Sequence, residues 1–169
     1  MLSEEVTKMI GKKGPITAYE VDRGNLRRYA AAVEDDTPIY WDDELARSSR
    51  YGTIPSPPGF FGWPVTWKIN SIGPGSLPRS DYELGDALTR CGYKFSVDGG
   101  IEIEFLRPVK AGDLIYAQDE LVSVTEREGK TGSLGFTLIG TTFINQNGEV
   151  VAKVKSTAIF LPSDDGGKK

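Results

Sequence analysis

The run Glu34-Asp35-Asp36-Thr37-Pro38-Ile39-Tyr40 gathers carboxylates, a hydroxyl and a phenol around a proline turn. Among these groups a carboxylate can act as a general base once desolvation lifts its pKa. A phenol ordinarily titrates at about pH 10, so Tyr40 would need a shift of about three units, worth roughly 4 kcal/mol, to take protons at neutral pH. No Lys or Arg adjoins it in the sequence to supply that shift. Two readings of the acids stay open: a solvated Asp-rich turn, or a carboxylate aimed into a cleft. The chain has no histidine at all, which removes His-based triads, His-ligated metals and the commonest general base. Its one cysteine, Cys91, can form neither an internal disulfide nor a thiolate cluster. Chemistry must use carboxylate, Tyr, Lys, Cys or backbone groups, and neither metal nor cofactor is expected.

A second run, from Ile54 to Trp67, is too apolar for a surface loop. Pro58 and Gly59 stand at its irregular entry into a buried helix, and Phe60, Phe61 and Trp63 would serve either as core or as the wall of an apolar pocket.

The elements that must hold these groups follow from pattern. Leu2, Val6, Met9 and Ile10 recur at helical spacing behind Ser3, a plausible N-cap. Ile16, Ala18 and Val21 suggest a short strand, after which Asp22 caps a helix over about residues 23–34 with Leu26, Tyr29, Ala30 and Val33 on one face. Pro38 forbids further helix. Asp42 or Asp43 caps a short helix through Arg47, and an irregular stretch leads into a buried apolar helix over about residues 59–70. Residues 71–97 read as a long connection. From Gly99 onward the period is two, giving strands over about 99–106, 113–126, 133–146 and 149–161, joined by turns at Arg107–Asp113, Glu128–Lys130 and Asn147-Gly148 as an antiparallel meander. The expected fold class is α+β, an antiparallel sheet wrapped around a central apolar helix, in a single domain over 1–162 with a disordered tail over 163–169.

At 169 residues one domain buries roughly 70% of its unfolded surface. The net charge of −4 argues against a nucleic-acid partner. The N-terminus shows neither a signal peptide nor a membrane span, so a soluble, cytoplasmic protein is expected.

The order of these elements, with Asp35-x-x-Pro38-Ile39, the Tyr51-Gly52 pair, the apolar Pro/Gly-started helix and Phe105-x-Arg107-Pro108-x-x-x-Gly112-Asp113, resembles the MaoC-like hot-dog dehydratases and (R)-specific enoyl-CoA hydratases, in particular the N-terminal-type MaoC dehydratase domain. The resemblance covers about residues 5–161. It implies a hot-dog fold and a chemistry of hydrating trans-2-enoyl thioesters, or the reverse, with an Asp and a His in the pattern Gly-Asp-x-Asn-Pro-Ile-His. On this chain Asp35 stands for the Asp, Thr37 for the Asn and Tyr40 for the His, so the acid is kept and the base is not. Active members read Ala-His-Gly where this chain has Ser56-Pro57-Pro58; the prolines lack the N–H that would hold the thioester oxyanion, although Gly59 could still donate.

The resemblance therefore implies a non-catalytic, His-lacking subunit that shapes the acyl pocket with Pro58, Gly59, Phe60, Phe61 and Trp63 for a His-containing hot-dog partner. The alternatives are an enzyme using Asp35 and Tyr40 on an acyl thioester, and a protein that binds acyl-CoA without chemistry. The expected ligand is an acyl-CoA or acyl-carrier thioester, and Arg47, Arg50, Lys68 and Arg79 are the basic side chains nearest in sequence that could meet the phosphates of CoA. A single sheet around one helix leaves an open edge, so a homodimer or a heteromer with the catalytic subunit is expected.

Overall fold

The computed structural model describes residues 2–61, 80–129 and 132–162. Ser3 caps α1 (Glu4–Thr7) by accepting from Val6 N–H. Strand β1 (Thr17–Glu20) leads to Asp22, whose carboxylate accepts from Asn25 N–H at 2.8 Å and starts α2 (Arg23–Ala32). After a 3₁₀ turn (Pro38–Tyr40), Asp42 caps α3 (Asp43–Ser48) by accepting from the N–H groups of Glu44 and Leu45. Then come α4 (Ser80–Arg90), β2 (Tyr93–Phe105), β3 (Leu114–Gly129), β4 (Gly132–Ile144) and β5 (Val150–Pro162). The caps fall where their side-chain chemistry requires, because Ser and Asp can satisfy N–H groups that a first helical turn leaves open.

Five strands form one antiparallel sheet in the order β1-β3-β4-β5-β2. Only β3, β4 and β5 make the expected meander. The segment Leu106–Asp113 is not a hairpin turn, since β2 pairs with β5 while β3 pairs with β1 and β4. That segment instead runs across one end of the sheet and is tied down on the way. The N–H groups of Leu106 and Arg107 donate to Val151 O, Ser56 N–H donates to Val109 O, Ala111 N–H donates to Ile54 O, and Val21 N–H donates to Asp113 O.

Two further expectations change. The stretch 71–97 was expected as connection, yet its second half holds α4 and the start of β2, with Leu84, Ala87 and Leu88 buried against Val6, Leu121 and Ile139. Gly85 disguised this helix; it sits mid-helix, where a glycine costs up to ~1 kcal/mol and packing overrides it. Helix α2 stops at Ala32, so Val33 is 52% exposed rather than on the buried face. The central helix expected over 59–70 lies outside the described residues from position 62 on, and so do Trp63, the Lys130 end of the second turn and the tail 163–169; Gly59, Phe60 and Phe61 belong to a turn and extended chain.

The main core joins α2, the 3₁₀ turn, α3 and the 54–61 segment to the sheet through Leu26, Ala30, Ile54, Phe61, Ile115 and Val154. On β4 every second residue from Gly135 to Phe143 is buried, the period of a strand with one face on the core. Strand β2 is different. The pairing shifts at Gly99, between Asp98↔Ala158 and Gly100↔Thr157, and a Cβ at Gly99 would meet Thr157 and Ile159 side-chain carbons at 2.9 Å. Paired residues share a face, so Ile101, Ile103 and Phe105 point with Ser156, Val154 and Ala152, whereas Phe95 and Val97 point with Leu161 and Ile159 to the other side. The bulge thus swaps the apolar face of the edge strand halfway along it.

Candidate functional site

Helix α2 ends in a Schellman arrangement: Glu34 N–H donates to Ala31 O at 3.2 Å and Asp35 N–H to Ala30 O at 2.8 Å. The turn requires left-handed backbone at Glu34, whose φ is 57°. Glycine normally fills that place, and a glutamate there holds strain. Asp35 comes out of the turn with its carboxylate committed, accepting from Thr37 N–H at 3.1 Å and from Thr37 Oγ1 at 2.5 Å. Trp41 Nε1 donates to Asp35 O at 3.2 Å. This is an Asx turn that feeds Pro38 into the 3₁₀ turn.

Tyr40 ends that turn with its side chain buried. Arg27 fixes it from α2, donating from Nε to Tyr40 O at 3.0 Å while its Nη2 reaches Trp41 O and Asp43 Oδ1. Burial, then the negative charge of Asp35, then Tyr51, push the Tyr40 phenol above its ordinary value. The direction is opposite to what a base needs: Tyr40 is a neutral hydroxyl at physiological pH, able to donate a hydrogen bond and unable to take a proton. Asp35 and Tyr40 therefore lie near each other, as the sequence pattern required, but their proximity works against base chemistry at Tyr40.

The second grouping is built on a turn over Pro57–Phe60. Phe60 N–H donates to Pro57 O at 3.1 Å, with Pro58 at the second position and Gly59 at the third with φ 85°. These are the residues a type II turn demands. The Ser56 hydroxyl donates to Phe60 O, and Tyr19 Oη donates to Phe61 O at 3.0 Å from a buried position that raises its own phenol pKa. Phe60 stacks on Tyr29 at 4.6 Å between ring centres, 7° from parallel. Phe61 stacks on Phe143 at 4.6 Å and on Phe105 at 5.8 Å. Within the turn only Gly59 and Phe60 carry an N–H, and the Phe60 group closes the turn itself.

A cavity of about 600 Å³ opens against this turn, walled by Pro57, Pro58, Phe60, Phe61, Phe105 and Val109, with Arg50, Tyr51 and Arg107 on its lining. Of the expected pocket residues, Pro58, Phe60 and Phe61 line it and Gly59 lies in the same turn. Asp35 and Tyr40 do not line it. Tyr51 lines the cavity and is also the smallest of the three causes that push the Tyr40 phenol up. Of the basic residues named from sequence, Arg50 lines the cavity, Arg47 does not, and Lys68 and Arg79 lie outside the described residues. Sequence reasoning missed Tyr51, Phe105, Val109 and Arg107 as cavity residues. The signal was present in Phe105-x-Arg107-Pro108, an apolar residue and a cation at the end of a strand, which the sequence offered as a turn and as a family motif but not as cavity wall.

Among the described residues no three His, Cys, Asp or Glu side chains converge on a point where a metal could sit. No helix among them is long and apolar enough to cross a membrane.

Comparison with known proteins gives a consistent answer. A family model described as FAS1-like, dehydratase domain region, matches residues 8–154. A probable enoyl-CoA hydratase alpha subunit of Thermomonospora curvata is 30% identical over 129 residues, 75% of this chain. The match covers 40% of that relative, so the chain spans less than half of its length. Among solved structures, the ChsH1-ChsH2 complex from Mycobacterium tuberculosis matches with a TM-score of 0.74 at 19% identity, over 94% of this chain and 93% of that one. The HadBC (3R-hydroxyacyl-ACP dehydratase) complex from the same organism matches with a TM-score of 0.65 at 22% identity, over 94% and 99%. At such identities the likeness is one of fold, and the fold is the α+β hot-dog fold.

Proposed function

The chain belongs to the FAS1-like dehydratase-region family of MaoC-like proteins, and from that membership we propose that it is the His-lacking subunit of an enoyl-thioester hydratase or 3-hydroxyacyl dehydratase, shaping the acyl pocket for a catalytic hot-dog partner. One observation carries the reading: the residue at the family's histidine position, Tyr40, is buried beside Asp35 in surroundings that hold its phenol protonated.

Adding water across a trans-2-enoyl thioester needs a base to deprotonate the water that attacks C3, a donor for the oxygen of the enolate, and an acid to return a proton to C2. Asp35 has one carboxylate oxygen, Oδ1, accepting from Thr37, and the Tyr40 phenol is held protonated, so in this reading the proton transfers fall to the partner. What this chain contributes is an apolar wall of Phe60, Phe61, Phe105 and Val109 that can bury an acyl chain. The heteromeric complexes among the structural neighbours are in keeping with such a division of labour, as is the open β2 edge. The ligand in this reading is an acyl-CoA or acyl-carrier thioester, and the setting is acyl-lipid metabolism in the cytoplasm.

The test is a hydratase assay on the purified chain with trans-2-enoyl-CoA substrates, alone and mixed with a His-containing hot-dog subunit. The expected outcome is no turnover alone and turnover in the mixture. Robust turnover by the chain alone, lost in Asp35→Asn, would replace this reading with catalysis by Asp35 and Tyr40.

A further inference from the structure

The back of the sheet, turned away from the core and the cavity, has two unlike halves. Near the cavity end its rows across β3, β4, β5 and β2 are Gln118, Thr142, Lys153 and Glu104, then Glu120, Gly140, Lys155 and Glu102. Such a row is the polar cover of an antiparallel sheet that keeps one face in water. The far half breaks that rule. Gly135, Thr137 and Ile139 turn to the core, so Leu134, Phe136 and Leu138 between and beside them turn out. Phe136 stands beside Ile159 and Ile159 beside Val97, and Leu161 stands beside Phe95. The bulge at Gly99 is what brings Phe95 and Val97 to this side. Both are exposed, and the β4 and β5 residues are half-buried. An apolar patch three strands wide on an otherwise polar face marks a place where another molecule sits.

The charges on its borders say what kind of molecule. On the β3 side Arg127, paired with Leu134, lies over the Phe136 ring at 5.0 Å, and on the β2 side Lys94 Nζ lies 6.0 Å from the Phe95 ring centre. Among the described residues neither cation forms a salt bridge. The nearby acids face the other way: Glu126 and Glu128 pair with Gly135 and Ser133 on the inner face, and Asp98 pairs with Ala158 there. A second copy laid face to face would set cations against cations with no carboxylate to receive them, which opposes self-pairing. A net charge of −4 opposes an anionic lipid surface. We propose that this half of the sheet's back docks an amphipathic helix of another protein, one whose apolar stripe is bordered on both sides by carboxylates.

The dimensions suit one helix. Strands stand about 4.8 Å apart, so β4, β5 and β2 present a stripe about 10 Å wide, against a helix about 10–12 Å across with its side chains. Along β4, Leu134 to Leu138 spans about 13 Å, or between two and three helical turns. The polar rows close the stripe at one end. Carboxylates on the helix would meet Arg127 on one border and Lys94 on the other, and water excluded by the helix strengthens both pairings. The docked helix lies on the face opposite the cavity, which stays open.

The experiment is a fluorescence-anisotropy titration of the full chain with two labelled helical peptides of about 18 residues. Both carry leucines at helical spacing; one borders them with glutamates, the other with lysines. At low salt the glutamate peptide is expected to bind at least about tenfold tighter, with the gap closing as salt rises. Arg127→Glu with Lys94→Glu inverts the preference, and the milder Arg127→Gln with Lys94→Gln abolishes it. Leu138→Glu weakens the glutamate peptide at least about tenfold, whereas Lys153→Gln with Lys155→Gln on the polar half leaves its affinity unchanged. Melting temperatures close to that of the wild type show that each variant is folded. Equal affinities for the two peptides, no binding of either, or a glutamate preference that survives in the Arg127 and Lys94 variants overturns the proposal. So do two results that assign the face to another occupant: self-association of the wild type that Leu138→Glu abolishes, and binding to phosphatidylglycerol vesicles in place of the peptide.

Discussion

Glu34 is the residue at which sequence and backbone disagree most plainly. The position must be left-handed for the α2 helix to end in its two-bond turn, and φ is 57°. For an L residue this costs about 1–2 kcal/mol, of which glycine recovers the steric part while giving back some unfolded-chain entropy. Glu34→Gly is therefore expected to stabilise the protein by about 0.5–1 kcal/mol, raising the melting temperature by about 2–4 °C per kcal/mol in a chain of this size. Thermal unfolding of the variant beside the wild type measures it. A lowered melting temperature would mean that the glutamate side chain makes contacts worth more than the strain. The same residue explains why Asp35 faces where it does: the turn sets the direction of the chain, and Thr37 then fixes the carboxylate. Strain here fixes the direction in which the Asp35 carboxylate leaves the helix end.

At the scale of elements, the turn Pro57–Phe60 shapes the cavity. Gly59 occupies it with φ 85°, and a Cβ there would stand 3.4 Å from Tyr29 Oη. Gly59→Ala should destabilise by about 1–2 kcal/mol from backbone strain. It should also loosen the Tyr29–Phe60 stack, so that binding of an acyl thioester weakens more than the melting temperature alone would suggest. Thermal unfolding together with a ligand titration separates the two effects; unchanged affinity in a folded Gly59→Ala protein would show that the turn's shape is not what forms the wall. The caps Ser3, Asp22 and Asp42 and the alternation of β4 were legible in the sequence because each is local chemistry, whereas Gly59 was expected to begin a helix and instead takes the third place of this turn. The β2–β3 connection was not legible, because Arg107-Pro108 and Gly112-Asp113 look alike whether the strands they join are neighbours or three places apart. Helix α4 was hidden by Gly85, and the first half of β2 by the bulge at Gly99, which reverses the alternation that betrays a strand. The cavity residues Tyr51 and Arg107 were illegible for a different reason: their meeting depends on the 54–56 segment pairing with 109–111, a contact between chain positions more than fifty residues apart.

For the molecule as a whole, β2 poses the problem that partnership would solve. It is thirteen residues long, lies at the edge of the sheet, and exposes Phe95 by 61%, Val97 by 47% and Ile101 by 50%. A long apolar edge with open N–H and C=O groups invites pairing with another chain, and proteins that stay monomeric blunt such edges with charge or proline. Here the edge carries no proline between Phe95 and Phe105 and its only charges there are the acids Asp98, Glu102 and Glu104, while the bulge at Gly99 presents apolar side chains on both faces. One contact along β2 could therefore cover Ile101 on the inner side and Phe95 and Val97 on the outer. A lysine on each face should oppose it: Val97→Lys with Ile101→Lys leaves the buried core untouched and is expected to fold with a melting temperature close to that of the wild type. In size-exclusion chromatography with light scattering, the wild-type chain should elute with a His-containing hot-dog subunit, or as a pair with its own copy, and the double variant at the mass of a single chain. If the double variant associates as strongly as the wild type, β2 is not the contact, and the exposure of its apolar residues would need another explanation.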